Sequence, residues 1–226
     1  MPVGELNFAV PTLFGLEGLC ADEIRRLGLP SVQAENGRVL CTGTEGDLPR
    51  LNLNLRTGER VLLVLGTFPA GNFDALFEGT RALPWERFIP REGQFPVKGH
   101  SLNSALHSVP ACQSIVKKSV AARLGEAYGL NTLPETGALY QIQFAIMKDT
   151  ATLMLDTSGA GLHRRGYRAQ GVIAPLRETL AAAMVLLSRY RGRDPLCDPF
   201  CGSGTIPIEA ALIARNRAPG LNRSFS

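Results

Sequence analysis

The sequence predicts an α+β fold that passes, near its C-terminal end, into the opening of an α/β sheet. Three observations carry this reading. Short strands and amphipathic helices alternate through the first 160 residues, several strands being joined by tight turns, as in antiparallel sheets flanked by helices. A glycine-rich basic stretch follows Asp156 and divides the chain. A run of acidic residue, glycine turn and helix start, Asp198-Pro199-Phe200-Cys201-Gly202-Ser203-Gly204-Thr205, then begins a different kind of unit.

Each element follows from its pattern. Leu6 to Pro11 is a short apolar run, and Leu16, Leu19, Ile24 and Leu27 sit at helical spacing within Gly15 to Leu27. Asn36-Gly37 separates Val32–Glu35 from Arg38–Cys41 and predicts a hairpin whose turn has two positive φ angles. A helix over Asp47 to Leu55 and a strand over Arg60 to Phe68 complete the first group. A helix from Phe73 to Phe88 should be interrupted at Pro84. Gln94 to Gly99 reads as a strand leading into a polar loop, and Ala111 to Tyr128 as a helix with Val116, Val120, Leu124 and Ala127 on one stripe. Leu139 to Met147 and Ala151 to Asp156 should pair through a tight turn at Lys148-Asp149. In the last part Pro175 and Glu178 suit a helix start. Leu176, Leu180, Met184 and Leu187 mark its apolar stripe, and a strand should run into Asp198.

The composition is that of a globular protein: 226 residues, 45% hydrophobic and 19% charged, with a net charge of +4. The small basic excess is compatible with a nucleic-acid partner without requiring one. No apolar run has the length of a membrane span, and the N-terminus has no basic region followed by an apolar stretch, so neither membrane nor secretion is expected. Five scattered cysteines without a Cys-x-x-Cys pair or a neighbouring His pair disfavour a metal site or a disulfide framework. A reducing cytoplasm is the expected location, and oligomeric state is left open.

The glycine turn carries the chemistry. Glycines between strand and helix let the backbone approach a ligand, and the helix N-terminus favours an anion such as an amino-acid carboxylate. No Lys follows the glycines, so this is not a phosphate-binding P-loop, and the third glycine of the dinucleotide fingerprint is absent. Asp198 through Ala211 resembles the first motif of S-adenosylmethionine-dependent methyltransferases that modify nucleobase amines. Gly161–Arg168, Ala174–Ala183 and Ala218–Arg223 narrow the likeness. With them the chain resembles the bacterial THUMP-domain ribosomal RNA guanine-N2 methyltransferase family. Phe14–Leu19 is similar to that family's ferredoxin-like domain, and Phe95–Ser104 to its THUMP region.

The resemblance implies a ferredoxin-like N-terminal domain over 1–58, a THUMP RNA-binding domain over 59–160, and, over 161–226, a linker and the start of a Rossmann-like methyltransferase domain. It implies S-adenosylmethionine as cofactor, held by Asp198, Pro199, Phe200, Gly202, Ser203, Gly204 and Thr205, with Arg177 and Glu178 beside its methionine end. Ribosomal RNA would be the partner, specifically the N2 amine of a guanine in 23S RNA. The readings kept beside it are a catalytically inactive RNA-binding fragment and an adenine-N6 DNA methylase.

Lys98, Lys117, Lys118 and Arg123 would form a basic patch on the THUMP region, or else a solvated helix face. Arg164, Arg165 and Arg168, with Tyr167, would grip RNA, or else form a charged linker. The family's Asn/Asp-Pro-Pro-Tyr/Phe motif is missing from the 226 residues, so no catalytic residue is assigned. At about 30 residues per βαβ step, roughly 150 residues of the sheet are expected to be lacking, with the truncated chain inactive alone and the apolar face of its last helix partly bare.

Overall fold

The computed structural model describes residues 4–168 and 175–225, which form two compact units. One comprises residues up to Val61 together with Ser158–Phe225, and the other Leu62–Thr157. The chain thus crosses between them at 61/62 and 157/158, where the sequence put its boundaries at 58/59 and 160/161. The closing segment folds in one unit with the opening domain. Of the residues read as linker or methyltransferase start, 169–174 and Ser226 lie outside the described residues.

The first unit opens on β1 (Leu6–Pro11), α1 (Glu17–Arg26), β2 (Gln33–Glu35), β3 (Arg38–Gly43) and α2 (Asp47–Asn54). Its strands pair in the order β2-β3-β1, all antiparallel. Alternation in β3 points Val39 and Cys41 into a core shared with Phe8 and Val10 of β1, Cys20 and Ile24 of α1, and Leu51 of α2. Burial pushes the Cys41 thiol up to about 12, as expected of a packed rather than a reactive cysteine.

The hairpin forms with Glu35 opposite Arg38, but Gly37 alone takes a positive φ, of 76°, so the two-positive-φ turn is not the one adopted. Tertiary contacts override the local preference. The Gly37 carbonyl accepts from Thr12 N at 3.0 Å, and its N–H donates to Glu17 Oε1 at 2.9 Å. The Gly37 N–H bond is the main contact that holds Glu17's carboxyl below its usual range.

The second unit contains β4 (Leu62–Pro69), α3 (Phe73–Arg81), β5 (Val97–Leu102), α4 (Val109–Tyr128), β6 (Ile142–Met147) and β7 (Thr150–Asp156). Its sheet runs β4-β7-β6-β5, antiparallel except for the parallel pair β5 and β6, with a register shift in β4 between Val64 and Gly66. Pro84 divides α3 from a single 3-10 turn, Trp85–Arg87, and the buried Trp85 indole donates to Thr80 O at 2.7 Å. β5 continues to Leu102, through residues expected to be loop, because β6 offers partners as far as Met147.

α4 buries Val116, Val120 and Leu124 as its stripe predicts, although Ala127 is exposed, and it ends on Gly129 in the left-handed region. The two-residue turn with both φ positive occurs at Lys148 and Asp149. Asp149 Oδ1 there accepts from Ser104 Oγ at 2.7 Å and Ala105 N at 2.8 Å.

The chain returns to the first unit with α5 (Glu178–Leu187) and α6 (Thr205–Ala214). Two expectations are corrected here. No strand forms over residues 196–198; strands persist by pairing, and no described strand pairs with this segment. The buried face of α5 is Thr179, Ala181, Ala182, Ala183 and Val185, whereas Met184 and Leu187 of the expected stripe are exposed. Small alanines let α6 approach closely, and a close helix contact outweighs the larger side chains' preference for cover. On α6, Ile206, Ile208, Leu212 and Ile213 are only half-buried, as expected.

A candidate cofactor loop organised by Arg168

The glycine turn is built by backbone conformation. Gly202 and Gly204 take φ of 53° and 74°, and Gly204 N closes the turn on Cys201 O at 2.8 Å. Gly204 is the residue from which α6 starts, and no side chain caps that helix. A side chain at Gly202 would meet open space, so its backbone angle, not crowding, calls for glycine. Asp198 is half-buried and its Oδ1 accepts from Phe200 N at 3.2 Å. Pro199 and Ser203 are exposed, Thr205 is buried, and the Phe200 ring is 93% exposed.

Arg168 gathers the rest. Its Nε donates to Glu178 Oε1 at 2.6 Å, and its Nη2 to Leu176 O at 3.1 Å and Thr205 Oγ1 at 2.7 Å. Its Nη1 reaches Ser203 Oγ at 3.2 Å. One guanidinium therefore joins the start of α5 to the glycine turn. The Glu178 side chain is 7% exposed, and a carboxylate so placed is stable as an ion only with such a partner. Arg177, by contrast, is exposed and lies 3.7 Å from Glu59.

Behind this layer lie residues whose partnerships no spacing in the sequence marks. Glu59 accepts from Thr179 Oγ1 at 2.6 Å and lies 3.7 Å from His163, whose ring burial holds below its usual pKa. Arg165 Nη1 stands 3.2 Å from Glu209 Oε2, both side chains wholly buried, while Arg165 Nη2 donates to Arg56 O at 2.6 Å. Tyr167 donates its hydroxyl to Glu209 Oε1 at 3.0 Å, and burial next to that carboxylate raises the Tyr167 pKa. Glu209's own carboxyl is pushed up by burial and drawn back by Arg165. Arg223 spreads its guanidinium over the carbonyls of Ser158, Ala160, Gly161 and Arg164. Arg223 closes the quoted Ala218–Arg223 stretch, its one trace in the sequence.

The basic residues read as RNA contacts divide by what they already hold. Arg165 is buried in its ion pair and Arg168 is spent on the loop, so neither presents a guanidinium to a phosphate. Arg164 is exposed. In the second unit, Lys117 contacts Glu135 Oε2 at 2.6 Å and lies over the Phe95 ring at 3.5 Å. Arg123 makes two hydrogen bonds to Glu86, which hold that carboxyl below its usual range. Lys98 and Lys118 are exposed. Among the described residues no cluster of His, Cys, Asp and Glu could hold a metal ion, and no helix is long and apolar enough to cross a membrane.

Three family models match successive stretches of the chain. Residues 7–62 match the RlmL ferredoxin-like domain, 70–156 the THUMP domain, and 165–226 the RMKL-like methyltransferase domain, UPF0020. In chain order the matches are therefore to a ferredoxin-like, a THUMP and a methyltransferase domain.

It is 48% identical over 213 residues to the putative RNA methyltransferase YpsC of Bacillus subtilis, covering 93% of this chain and 55% of that protein. It is 38% identical over 217 residues to the ribosomal RNA large subunit methyltransferase K/L of Syntrophotalea carbinolica, covering 93% and 30%. The crystal structure of SMU.472, a putative methyltransferase complexed with SAH, superposes with a TM-score of 0.93 at 42% identity, over 100% of this chain and 59% of that one. The chain therefore spans about half the length of YpsC and less of the K/L enzyme.

Proposed function

We propose that this chain is the RNA-recognition and cofactor-loop portion of an S-adenosylmethionine-dependent RNA methyltransferase acting on the exocyclic N2 amine of a guanine in 23S ribosomal RNA. The observation that carries the reading is the glycine turn at the start of α6, tied by Arg168 to the buried carboxylate of Glu178. The donor set fits the amino-acid end of such a cofactor. The uncapped N-terminus of α6 offers N–H groups to a carboxylate, and the carboxylates of Asp198 and Glu178 suit an ammonium. Resemblance to enzymes named for RNA methylation, and a related structure complexed with SAH, support the same reading.

When bound, the cofactor supplies an electrophilic methyl group on a sulfonium. The chain's own residues bind and orient. Gly202 and Gly204 bring backbone close to the ligand, while Asp198, Glu178 and the α6 N–H groups fix its polar end. Lys98, Lys118 and Arg164 are the exposed cations available to RNA phosphates. Catalysis by positioning a guanine amine against the methyl group needs no covalent enzyme intermediate. No Asn/Asp-Pro-Pro-Tyr/Phe motif occurs in the sequence, and no residue is assigned to holding the base.

The test is transfer of labelled methyl from S-adenosylmethionine to protein-free 23S RNA by the product of the full reading frame, with the modified nucleoside identified by mass spectrometry. N2-methylguanosine is the expected product. Label appearing in adenine or DNA and never in guanine would overturn the assignment.

A further inference from the structure

We propose that Arg168 is a positioning residue for the cofactor's amino-acid end. One guanidinium fixes the glycine loop against the start of α5 and so sets affinity for the methionine portion of an S-adenosyl ligand. The inference rests on the proposed function and removes Arg168 from the RNA-contacting set.

The argument begins with the hydrogen-bond inventory. Arg168 makes four bonds to two chain segments more than 20 residues apart, and all three of its nitrogens are engaged. Its side chain is 21% exposed, so it is not laid out on the surface for a passing phosphate. Ser203 and Thr205, the hydroxyls it holds on the loop, also contact each other at 3.2 Å, which closes the ring of polar contacts around the turn.

The second argument is electrostatic. Neither α5 nor α6 has a side-chain cap at its N-terminus. Both ends carry the partial positive charge of unpaired N–H groups, and an acid or hydroxyl cap would stabilise them. A guanidinium beside two such ends is the least favourable choice for stability alone; Glu178 neutralises its single charge, and the partial positive charges of the two helix ends remain. Local preferences broken in this way collect at functional sites. That remaining positive field favours an anion, and the planar spread of donors that reaches Glu178, Leu176, Ser203 and Thr205 is one that a lysine cannot reproduce.

A third observation concerns Glu178. Arg168 takes its Oε1, and Oε2 makes no hydrogen bond among the described residues. The pair thus orients a carboxylate with one oxygen held and one oxygen left for a ligand's ammonium. Loss of Arg168 would release both the loop and this carboxylate. On this proposal neither group meets the adenosine, so the effect should be confined to one end of the ligand.

The experiment compares the full-reading-frame protein with Arg168→Met and Arg168→Lys by calorimetric titration. The ligands are S-adenosylhomocysteine and 5′-methylthioadenosine, which lacks the amino-acid portion. Removing charge-assisted hydrogen bonds should weaken S-adenosylhomocysteine binding about 10- to 100-fold in Arg168→Met, with a smaller loss, about 10-fold, in Arg168→Lys. Methylthioadenosine affinity should stay within about twofold, since its binding groups lie elsewhere. Glu178→Gln, which keeps the side-chain volume, should show the same split if Arg168→Met does not fold.

Equal weakening of both ligands would mean a general structural role and overturn the proposal. So would unchanged S-adenosylhomocysteine binding together with weakened RNA binding. A wild-type protein that binds no S-adenosylhomocysteine would instead overturn the proposed function itself.

Discussion

Replacing Glu209 by Leu tests the buried layer behind the loop. The substitution leaves the Arg165 guanidinium, whose side chain is wholly buried, with a single hydrogen bond, to Arg56 O at 2.6 Å. It also removes the acceptor of the Tyr167 hydroxyl. Arg165 and Glu209 lie at 3.2 Å, yet Arg165 Nη1 and Glu209 Oε2 make no aligned hydrogen bond. The loss should therefore fall toward the lower end of the range for an orphaned buried charge, about 3 kcal/mol. Tyr167 adds about 1 kcal/mol.

A total of about 4 kcal/mol corresponds to a fall in Tm of roughly 8–16 °C for a chain of this size. Arg165→Met combined with Glu209→Leu replaces both charges with apolar volume and should recover most of the loss, giving a coupling energy of about 3 kcal/mol. The assay is urea unfolding followed by circular dichroism, with hydrogen exchange across α6 to localise the change. A single substitution costing under about 1 kcal/mol, or a double variant as unstable as the summed singles, would refute the view that this pair holds α6 in place.

Three further outcomes are expected. Asp47 accepts from the Thr44 backbone and hydroxyl, which hold its carboxyl below the usual range. Its contribution is present above the unfolded-state pKa and is lost as pH falls through the depressed folded value. Asp47→Asn should thus cost about 1 kcal/mol at neutral pH and nothing in strong acid, as read by unfolding across pH. A side chain at Gly99 would come within 2.3 Å of Phe144 O, so Gly99→Ala should destabilise the second unit by about 2–3 kcal/mol. The buried Trp85 of that unit gives a fluorescence signal for this loss. Lys98→Glu and Lys118→Glu should each lower the salt dependence of RNA binding by about one ion. Lys117→Met should not, because Glu135 already occupies that cation.

The strands were legible where a patterned segment met a bounding turn, as in β3, β6 and β7, and β1 as a short apolar run. Misreadings arose where distant residues decide. The Gly37 turn is shaped by Thr12 and Glu17, and the end of β5 by its partner β6. The apolar stripe of α5 was assigned by side-chain size, yet its alanines are what is buried. In the site, the glycine loop was visible as a motif because its backbone angles demand particular residues. The roles of Glu59, Arg165 and Glu209 were not, since an ion pair between residues far apart in sequence leaves no spacing to read. Arg164, Arg165 and Arg168 look alike in sequence, and burial alone separates them.

The two crossings of the chain between its units lie side by side. Leu62 is paired with Asp156 at the base of the β4–β7 ladder, and Val61 N donates to Ser158 Oγ at 2.8 Å. The segment 62–157 is therefore a cassette, inserted into a host whose two halves meet through Glu59, Arg56 and Asn52. A short Gly-Ser bridge from Val61 to Ser158 should yield a soluble host, and a foreign RNA-binding module grafted between those points should leave the loop intact. Cutting after residue 160 to isolate the later segment would strip Thr179 from Glu59 and Arg165 from the Arg56 carbonyl, and should give an unstable product. Modularity here follows the strand ladder, and the usable cut sites are a pair rather than a single point.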